Sequence, residues 1–375
     1  MKVPFVDLKA QYASIRAEIL ETVERVLDSG MFVGGAWLES FEEEFARFVG
    51  ARYAIGVGSG TAPLELALKT AGIGAGDEVV VPANSFFATP EAVSNVGARP
   101  VFADVDPVTA HLRLDSVEAC ITSKTRAIIP VHLYGRAMNL ESMERLASSK
   151  RLEIIEDAAQ AHGASLGGIP VGGSGRLTCF SFYPGKNLGA YGEAGMITCN
   201  DAQHAERLRL LRNHGSPSKY AHSLVGTNSR LDSLQAAILS VKLRHLPSWN
   251  SARIAHAKAY AAALRGSPVM PPDIPSEGEH NFHLFVIRTQ NREGLKTFLQ
   301  TRGIETGIHY PTPLHLTEAY QAAGHPGKGH LPVSEMLARQ ILSLPMYAEL
   351  TEAQIAHVTQ GVLEFAQSEQ LAGVA

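Results

Sequence analysis

Cysteine is scarce: Cys120, Cys179 and Cys199 are the whole complement, with no C-x-x-C pair and no even-numbered framework. That excludes a disulfide scaffold and a zinc ribbon, and it leaves three thiols expected in the core. Charge is scarce as well. Charged residues make up 19% of the chain, and 33 Lys and Arg against 37 Asp and Glu leave a formal net charge of -4. With no long basic run, neither nucleic acid nor an anionic membrane surface is indicated as a partner. Apolar runs of transmembrane length are missing too, and MKVPFVDLKAQYASIR places charge where a signal peptide needs an apolar segment. A cytoplasmic protein is expected. The G-x-x-x-x-G-K-[ST] loop and the G-x-G-x-x-G fingerprint are both absent, which removes the best evidence for nucleotide hydrolysis and for hydride transfer.

What is present is enough apolar material, 45% of 375 residues, to bury a large core. Ile15, Ile19, Val23, Val26 and Leu27 share one face of a predicted N-terminal helix. From YAIGV (53–57) onward, short aliphatic runs alternate with helical stretches: GDEVVVPA, RPVFADVD, RAIIPVHLYG and EIIEDAA. That rhythm predicts an α/β fold with a mostly parallel sheet covered on both faces. After about residue 240 a long helical pattern leads through the Pro-rich PVMPPDIPSEG to a second, smaller α+β unit. In that unit HLFVIRT (283–289) and IETGIHYP (304–311) are predicted strands. The expected division is a large domain over 1–245 and a small one over 246–375.

Three local features carry chemistry. Gly58-Ser59-Gly60-Thr61 joins a predicted strand to a helix, where free N–H groups and the positive helix end suit a phosphate. The plainer reading is a turn in which Ser59 or Thr61 caps the helix. Asp157 falls at the carboxyl end of a predicted strand, where open α/β sheets place ligands. An ionised carboxylate buried there needs a cation or donor, such as a protonated ring nitrogen, although a helix N-cap fits the same residue. Lys186 lies in CFSFYPGKNLGAYGEAG, among glycines and aromatics that would desolvate it and make it a nucleophilic amine suited to Schiff-base chemistry. A phosphate cup, a buried carboxylate and an activated lysine are together the parts that hold pyridoxal phosphate.

PVHLYG, EDAAQAHGA, FSFYPGKNLGA, LRNHG and TNSRLDSLQAAIL occur in this order. With them the chain resembles the sugar-nucleotide aminotransferases of the DegT/DnrJ/EryC1/StrS family, of aspartate aminotransferase fold type I, over essentially its whole length. The resemblance implies that Lys186 carries pyridoxal 5'-phosphate and later moves the proton, while Asp157 holds the ring nitrogen protonated. It further implies that Gln160 approaches the ring hydroxyl, that Phe86 stacks on the ring, and that Gly60, Thr61 and Ser181 bind the phosphate. Asn228 would join them from the neighbouring subunit of a homodimer, in keeping with the low charged fraction. Without the resemblance, Phe86 reads equally as a core residue and Asn228 as a loop cap.

Tyr183, Lys219, Tyr220, His309, Tyr310 and His315 are candidates for the sugar and diphosphate pocket, the two histidines reading equally well as packing residues. No H-E-x-x-H or comparable spacing points to a metal. Lysine at 186, where the related sugar 3-dehydratases have histidine, speaks against dehydration. The implied reaction moves the amino group of glutamate to a keto-sugar nucleotide, at C3 of a 6-deoxyhexose by the likeness of GIHYPTPLHLTEAYQAAGH to the 3-amino branch. A 4-keto sugar nucleotide, a cyclitol ketone, and a regulatory relative without turnover are the alternatives.

Overall fold

The aliphatic runs do become one sheet. The structure, a computed structural model, describes residues 1–276 and 278–372. Its strands are β1 (Tyr53–Val57), β2 (Glu78–Pro82), β3 (Arg99–Ala103), β4 (Thr125–Ile128), β5 (Glu153–Asp157), the short pair β6 (Ser165–Leu166) and β7 (Ile169–Pro170), β8 (Leu177–Ser181), β9 (Gly195–Cys199), β10 (Phe285–Arg288) and β11 (Ile341–Leu344). Seven of them form a sheet in the order β1-β9-β8-β5-β4-β2-β3. The pairs β2/β3, β2/β4, β4/β5 and β5/β8 are parallel, whereas β9 runs antiparallel to both β8 and β1. Strands covered on both faces must be apolar throughout rather than alternating, and β2 shows why. Val79 and Val81 enter the core on one face, and Val80 enters the core on the other.

β1, β2, β5 and β8 therefore point the same way, and their carboxyl ends lie along one edge of the sheet. Under that edge Phe45, from the helix Ala36–Val49, meets Phe180 and Phe182 edge-on at ring distances of 5.1 and 5.4 Å. The long helix Ser233–Ala263 shares this core through Ala236, Leu239, Leu243 and Leu246. Its far end, through Ala257 and Tyr260, belongs to a second core with Phe285, Leu299, Leu342 and Val358. The expected division at 245/246 thus falls inside a helix that packs into both cores. The first residues do not follow the division by chain order, because Val3 pairs with Ile304 and lies in the second core.

Several local expectations need correction. Residues 304–311 form no strand, and their only ladder-type pairings are the isolated bridges Val3–Ile304 and Gly307–Ser343. Pro311 at the end of this segment and Pro313 two residues on supply no N–H to a ladder. The N-terminal helix Leu8–Ser29 buries Gln11, Ile15, Ile19 and Val26, while Leu27 is turned to the exposed side. Cys179 and Cys199 are buried as expected, but Cys120 is only half-buried at the end of the helix Leu114–Cys120; all three are free thiols. Among the described residues no helix is long and apolar enough to cross a membrane. Since Phe45 is fully buried among aromatic rings, Phe45→Ala should cost about 3–5 kcal/mol of stability, read as a lower chemical-denaturation midpoint.

Candidate active site

The common edge of β1, β2, β5 and β8 gathers the chemically active side chains. After β1 the chain turns through Gly58–Thr61 into the helix Ala62–Thr70. Ser59 Oγ accepts the Ala62 N–H at 3.2 Å, whereas the Thr61 side chain makes no capping bond and keeps its hydroxyl for other use. A Cβ on Gly60 would lie 2.2 Å from Ser181 Oγ, so only glycine lets this turn close against the end of β8. The result is a small cup of backbone, Thr61 and Ser181 at the first turn of a helix, which suits an anion.

Asp157 ends β5 and is 6% exposed. No helix follows it, so the capping alternative falls away. Its Oδ2 accepts the Thr89 hydroxyl at 2.8 Å and its Oδ1 accepts the Ala159 N–H at 3.1 Å. Burial pushes the carboxyl above its ordinary pKa, while the Thr89 hydrogen bond and the Lys186 charge pull the other way. Such a carboxyl is held ready for a further cationic donor. Gln160 lies next to it: its Oε1 accepts the Tyr134 N–H at 2.6 Å, and its Nε2 donates to Tyr310 Oη at 3.2 Å. The Tyr310 ring in turn lies 5.7 Å from that of Phe86, which is 56% exposed and free to present a face.

Lys186 follows β8 in a tight turn closed by its N–H to Tyr183 O at 2.8 Å. Desolvation lowers the amine from 10.5 to about 8, against the opposing pull of Asp157. The same positive charge acts on its histidine neighbours. Burial first, and Lys186 second, lower His309 to about 4 and His162 to about 3. His309 is therefore a neutral hydrogen-bonding ring at pH 7, with Nδ1 2.8 Å from Ser343 Oγ, and not a cation for a diphosphate.

The structure thus brings together Gly60, Thr61, Ser181, Phe86, Asp157, Gln160, Lys186, His309 and Tyr310, with the half-exposed Tyr183 at the rim. Lys219 and Tyr220 stand apart on the surface excursion between Asn213 and Asn228, whereas Asn228 is exposed at its end, one residue before Ser229, whose O accepts the Gly58 N–H at 3.2 Å. There Tyr220 is 86% exposed, with the Lys219 ammonium 5.2 Å from its ring. His315 is placed elsewhere altogether. A short 3-10 turn, Leu314–Leu316, tucks it fully into the core, with Nε2 3.3 Å from Glu335 and its ring against Phe102. Sequence reasoning missed Thr89 and Tyr134. Nothing in a threonine 68 positions before Asp157 signals their contact.

Solved structures similar to this chain are aminotransferases. One is that of Streptomyces venezuelae DesV in complex with a ketimine intermediate, at TM-score 0.96 and 46% identity, covering 98% of this chain and 99% of that one. Another is NtdA from Bacillus subtilis with bound cofactor PMP, at TM-score 0.91 and 31% identity, covering 98% and 85%. The class is therefore that of the pyridoxal-phosphate-dependent aminotransferases of fold type I. Sequence narrows it further. The profile of the DegT/DnrJ/EryC1/StrS aminotransferase family matches residues 13–363. A dTDP-3-amino-3,4,6-trideoxy-alpha-D-glucose transaminase of Streptomyces venezuelae is 47% identical over 98% of this chain and 97% of its own length. A pleiotropic regulatory protein of Geobacillus stearothermophilus is 44% identical over 97% and 99%. This chain belongs to the DegT/DnrJ/EryC1/StrS aminotransferase family.

The electrostatics of Lys186 are open to direct measurement in the protein freed of cofactor. In competitive acetylation across pH, Lys186 should become reactive with a midpoint of about 8, well below exposed lysines near about 10.4. Asp157→Asn should move that midpoint lower still, because the carboxylate is what holds it up.

Proposed function

We propose that this chain binds pyridoxal 5'-phosphate and transfers the amino group of glutamate to the 3-keto group of a nucleotide-linked deoxyhexose. The observation that carries the reading is the buried Asp157 facing Lys186 beside a cup that only glycine at 60 permits. These residues fit the cofactor. Gly60, Thr61 and Ser181 would hold its phosphate, Asp157 its ring nitrogen, Gln160 its ring hydroxyl and Phe86 one ring face. Bound there, pyridoxal phosphate supplies an electron sink for charge developing at the carbon next to the transferred nitrogen.

The protein supplies attachment, orientation and proton transfer. Lys186, half neutral at about pH 8, has the free electron pair needed to attach the cofactor and, once released from it, to carry a proton to and from the substrate carbon. Asp157 is buried, so its negative charge would act on the ring nitrogen with little screening. Tyr183, Tyr310 and neutral His309 would recognise hydroxyl groups by hydrogen bonding. A reacting carbonyl must come within about 3 to 3.5 Å of the nitrogen donor, so moving reaction from C3 to C4 requires the sugar to turn. A hydrogen bond left unmade in the wrong pose costs roughly 1–3 kcal/mol, or about 5- to 150-fold in selectivity. The 3-amino product named for the Streptomyces relative supports C3.

The exposure of Asn228, Lys219 and Tyr220 beside Val225 supports a homodimer in which this excursion completes the neighbouring site. Asn228 would there add a donor to the phosphate. A second reading, cofactor binding without turnover, has its support in the regulatory name of the Geobacillus relative.

Borohydride reduction of the loaded protein should fix the pyridoxyl group on Lys186, and Lys186→Ala should abolish turnover. With glutamate and 3-keto or 4-keto sugar nucleotides supplied separately, NMR should locate the new amine at C3. Amination at C4 alone rejects the substrate assignment, and failure to release 2-oxoglutarate with any ketone favours the regulatory reading. Gly60→Ala should weaken cofactor binding by about tenfold or more in a fluorescence titration, because its methyl group would displace Ser181.

A further inference from the structure

The long helix Ser233–Ala263 passes beneath the turn that carries Lys186, and three of its polar side chains reach that turn. Gln235 Oε1 accepts the Tyr191 N–H at 2.8 Å, and its Nε2 donates to Tyr191 O at 3.4 Å. The Lys242 ammonium donates to Gly189 O and lies 4.7 Å from the centre of the Tyr191 ring. Asn250 Oδ1 accepts from Asn187 Nδ2 at 2.9 Å, while its own Nδ2 donates to His162 O at 2.8 Å. Positions 235, 242 and 250 are seven and eight residues apart, about two helical turns each, so they fall on one side of the helix.

Lys242 is the informative member. It is 1% exposed, and among the described residues its hydrogen-bond partner is a backbone carbonyl and not a carboxylate. Its nearest opposing charge acts from Glu349 at longer range. A buried ammonium costs several kcal/mol in desolvation, and an apolar side chain of the same length would pack there more cheaply. Fold stability alone therefore does not account for it. What the charge does secure is a backbone carbonyl three residues after Lys186, in a turn already tight enough that a Cβ on Gly189 would lie 2.3 Å from Pro184 O. On the other side, Asn187 is gripped from the small unit as well, with its Nδ2 3.2 Å from Asn281 O and its Oδ1 3.2 Å from His283 Nδ1. Asn281 Nδ2 also donates to Gln160 O at 3.0 Å, which ties this grip to the wall opposite Lys186.

We propose that Gln235, Lys242 and Asn250 are positioning residues that fix residues 187–191 and thereby aim the Lys186 amine at the cofactor held by Asp157. The proposal rests on the reading of Lys186 as the cofactor lysine. Positioning at this distance acts on rate and on the proton affinity of the bound nitrogen rather than on substrate capture.

The test uses the full-length, cofactor-loaded protein and two variants. Lys242→Met keeps the stem and removes the charge; Gln235→Ala changes a half-exposed residue to the best helix former, so that variant folds. The readouts are the pH midpoint of the visible cofactor band, the division of the kinetic loss between kcat and KM for glutamate, and the melting temperature. Lys242→Met should move the pH midpoint by about one unit, tenfold in proton affinity, and lower kcat about 10- to 100-fold with KM changed by less than about threefold. Gln235→Ala should move both in the same direction by less. A midpoint and kcat that stay at wild-type values in both variants, even with lowered melting temperatures, would overturn the proposal. Should Lys242→Met not fold, an unmoved midpoint in Gln235→Ala overturns it alone. A wild-type protein with no visible band would overturn the cofactor reading itself, a result distinct from a band that the variants leave unchanged.

Discussion

The opposition between Asp157 and Lys186 organises the molecule. Each is partly stripped of water, and each partly offsets what burial does to the other: the carboxyl is driven up by desolvation and pulled back by the amine, the amine driven down and held up by the carboxylate. Neither shift would exist on the surface. The pair requires two strand ends, β5 and β8, to lie side by side with no helix or water between them, and their parallel register from Ile155 and Leu177 to Asp157 and Cys179 delivers that. Thr89 contributes a donor from a third element, so the carboxyl is not left wholly to its charged partner.

The surroundings are built to avoid adding charge. His162, His283 and His309 all feel Lys186, and all have their pKa values lowered, with burial as the larger cause. Protonating any of them would place a second cation beside the amine and depress it further. Kept neutral, they pack and accept or donate hydrogen bonds instead: His162 against Phe180 and Phe182, His283 to Asn187, and His309 to Ser343. The site thus presents one nucleophilic nitrogen and one carboxylate beside histidines kept neutral, and next to them backbone and hydroxyl groups at Gly60, Thr61 and Ser181 form a cup that suits an anion. This division suits a phosphate-bearing cofactor and a hydroxylated substrate bound at adjoining places.

The aromatic core beneath the edge and the helix beside it give this arrangement its rigidity. Phe41, Phe45, Phe180 and Phe182 interlock directly behind β8, and Ala236, Leu239 and Leu243 seal the same core from the long helix. Because that helix also enters the second core through Ala257 and Tyr260, the turn that carries Lys186 is braced against an element anchored in both cores.

Much of this is legible in the amino-acid order. Runs such as EVVVP and EIIED identify strands because only doubly covered strands are apolar at successive positions, and turn residues at strand ends locate Gly60 and Lys186 on loops and Asp157 at the end of its strand. The family motifs then attach chemistry to those loops. Other features are absent from any local pattern. IETGIHYP has the composition of a strand but forms only two bridges, and His315, two residues after Pro313, turns into the core while His309 turns toward Lys186. The contacts of Asp157 with Thr89, of Gln160 with Tyr310 and of Lys242 with Gly189 join residues 68, 150 and 53 positions apart. Local sequence sets backbone preference and burial tendency, which act over a few residues; the direction in which a side chain points, and the pKa it acquires there, depend on desolvation and charge supplied by distant segments, and those exist only once the chain has packed.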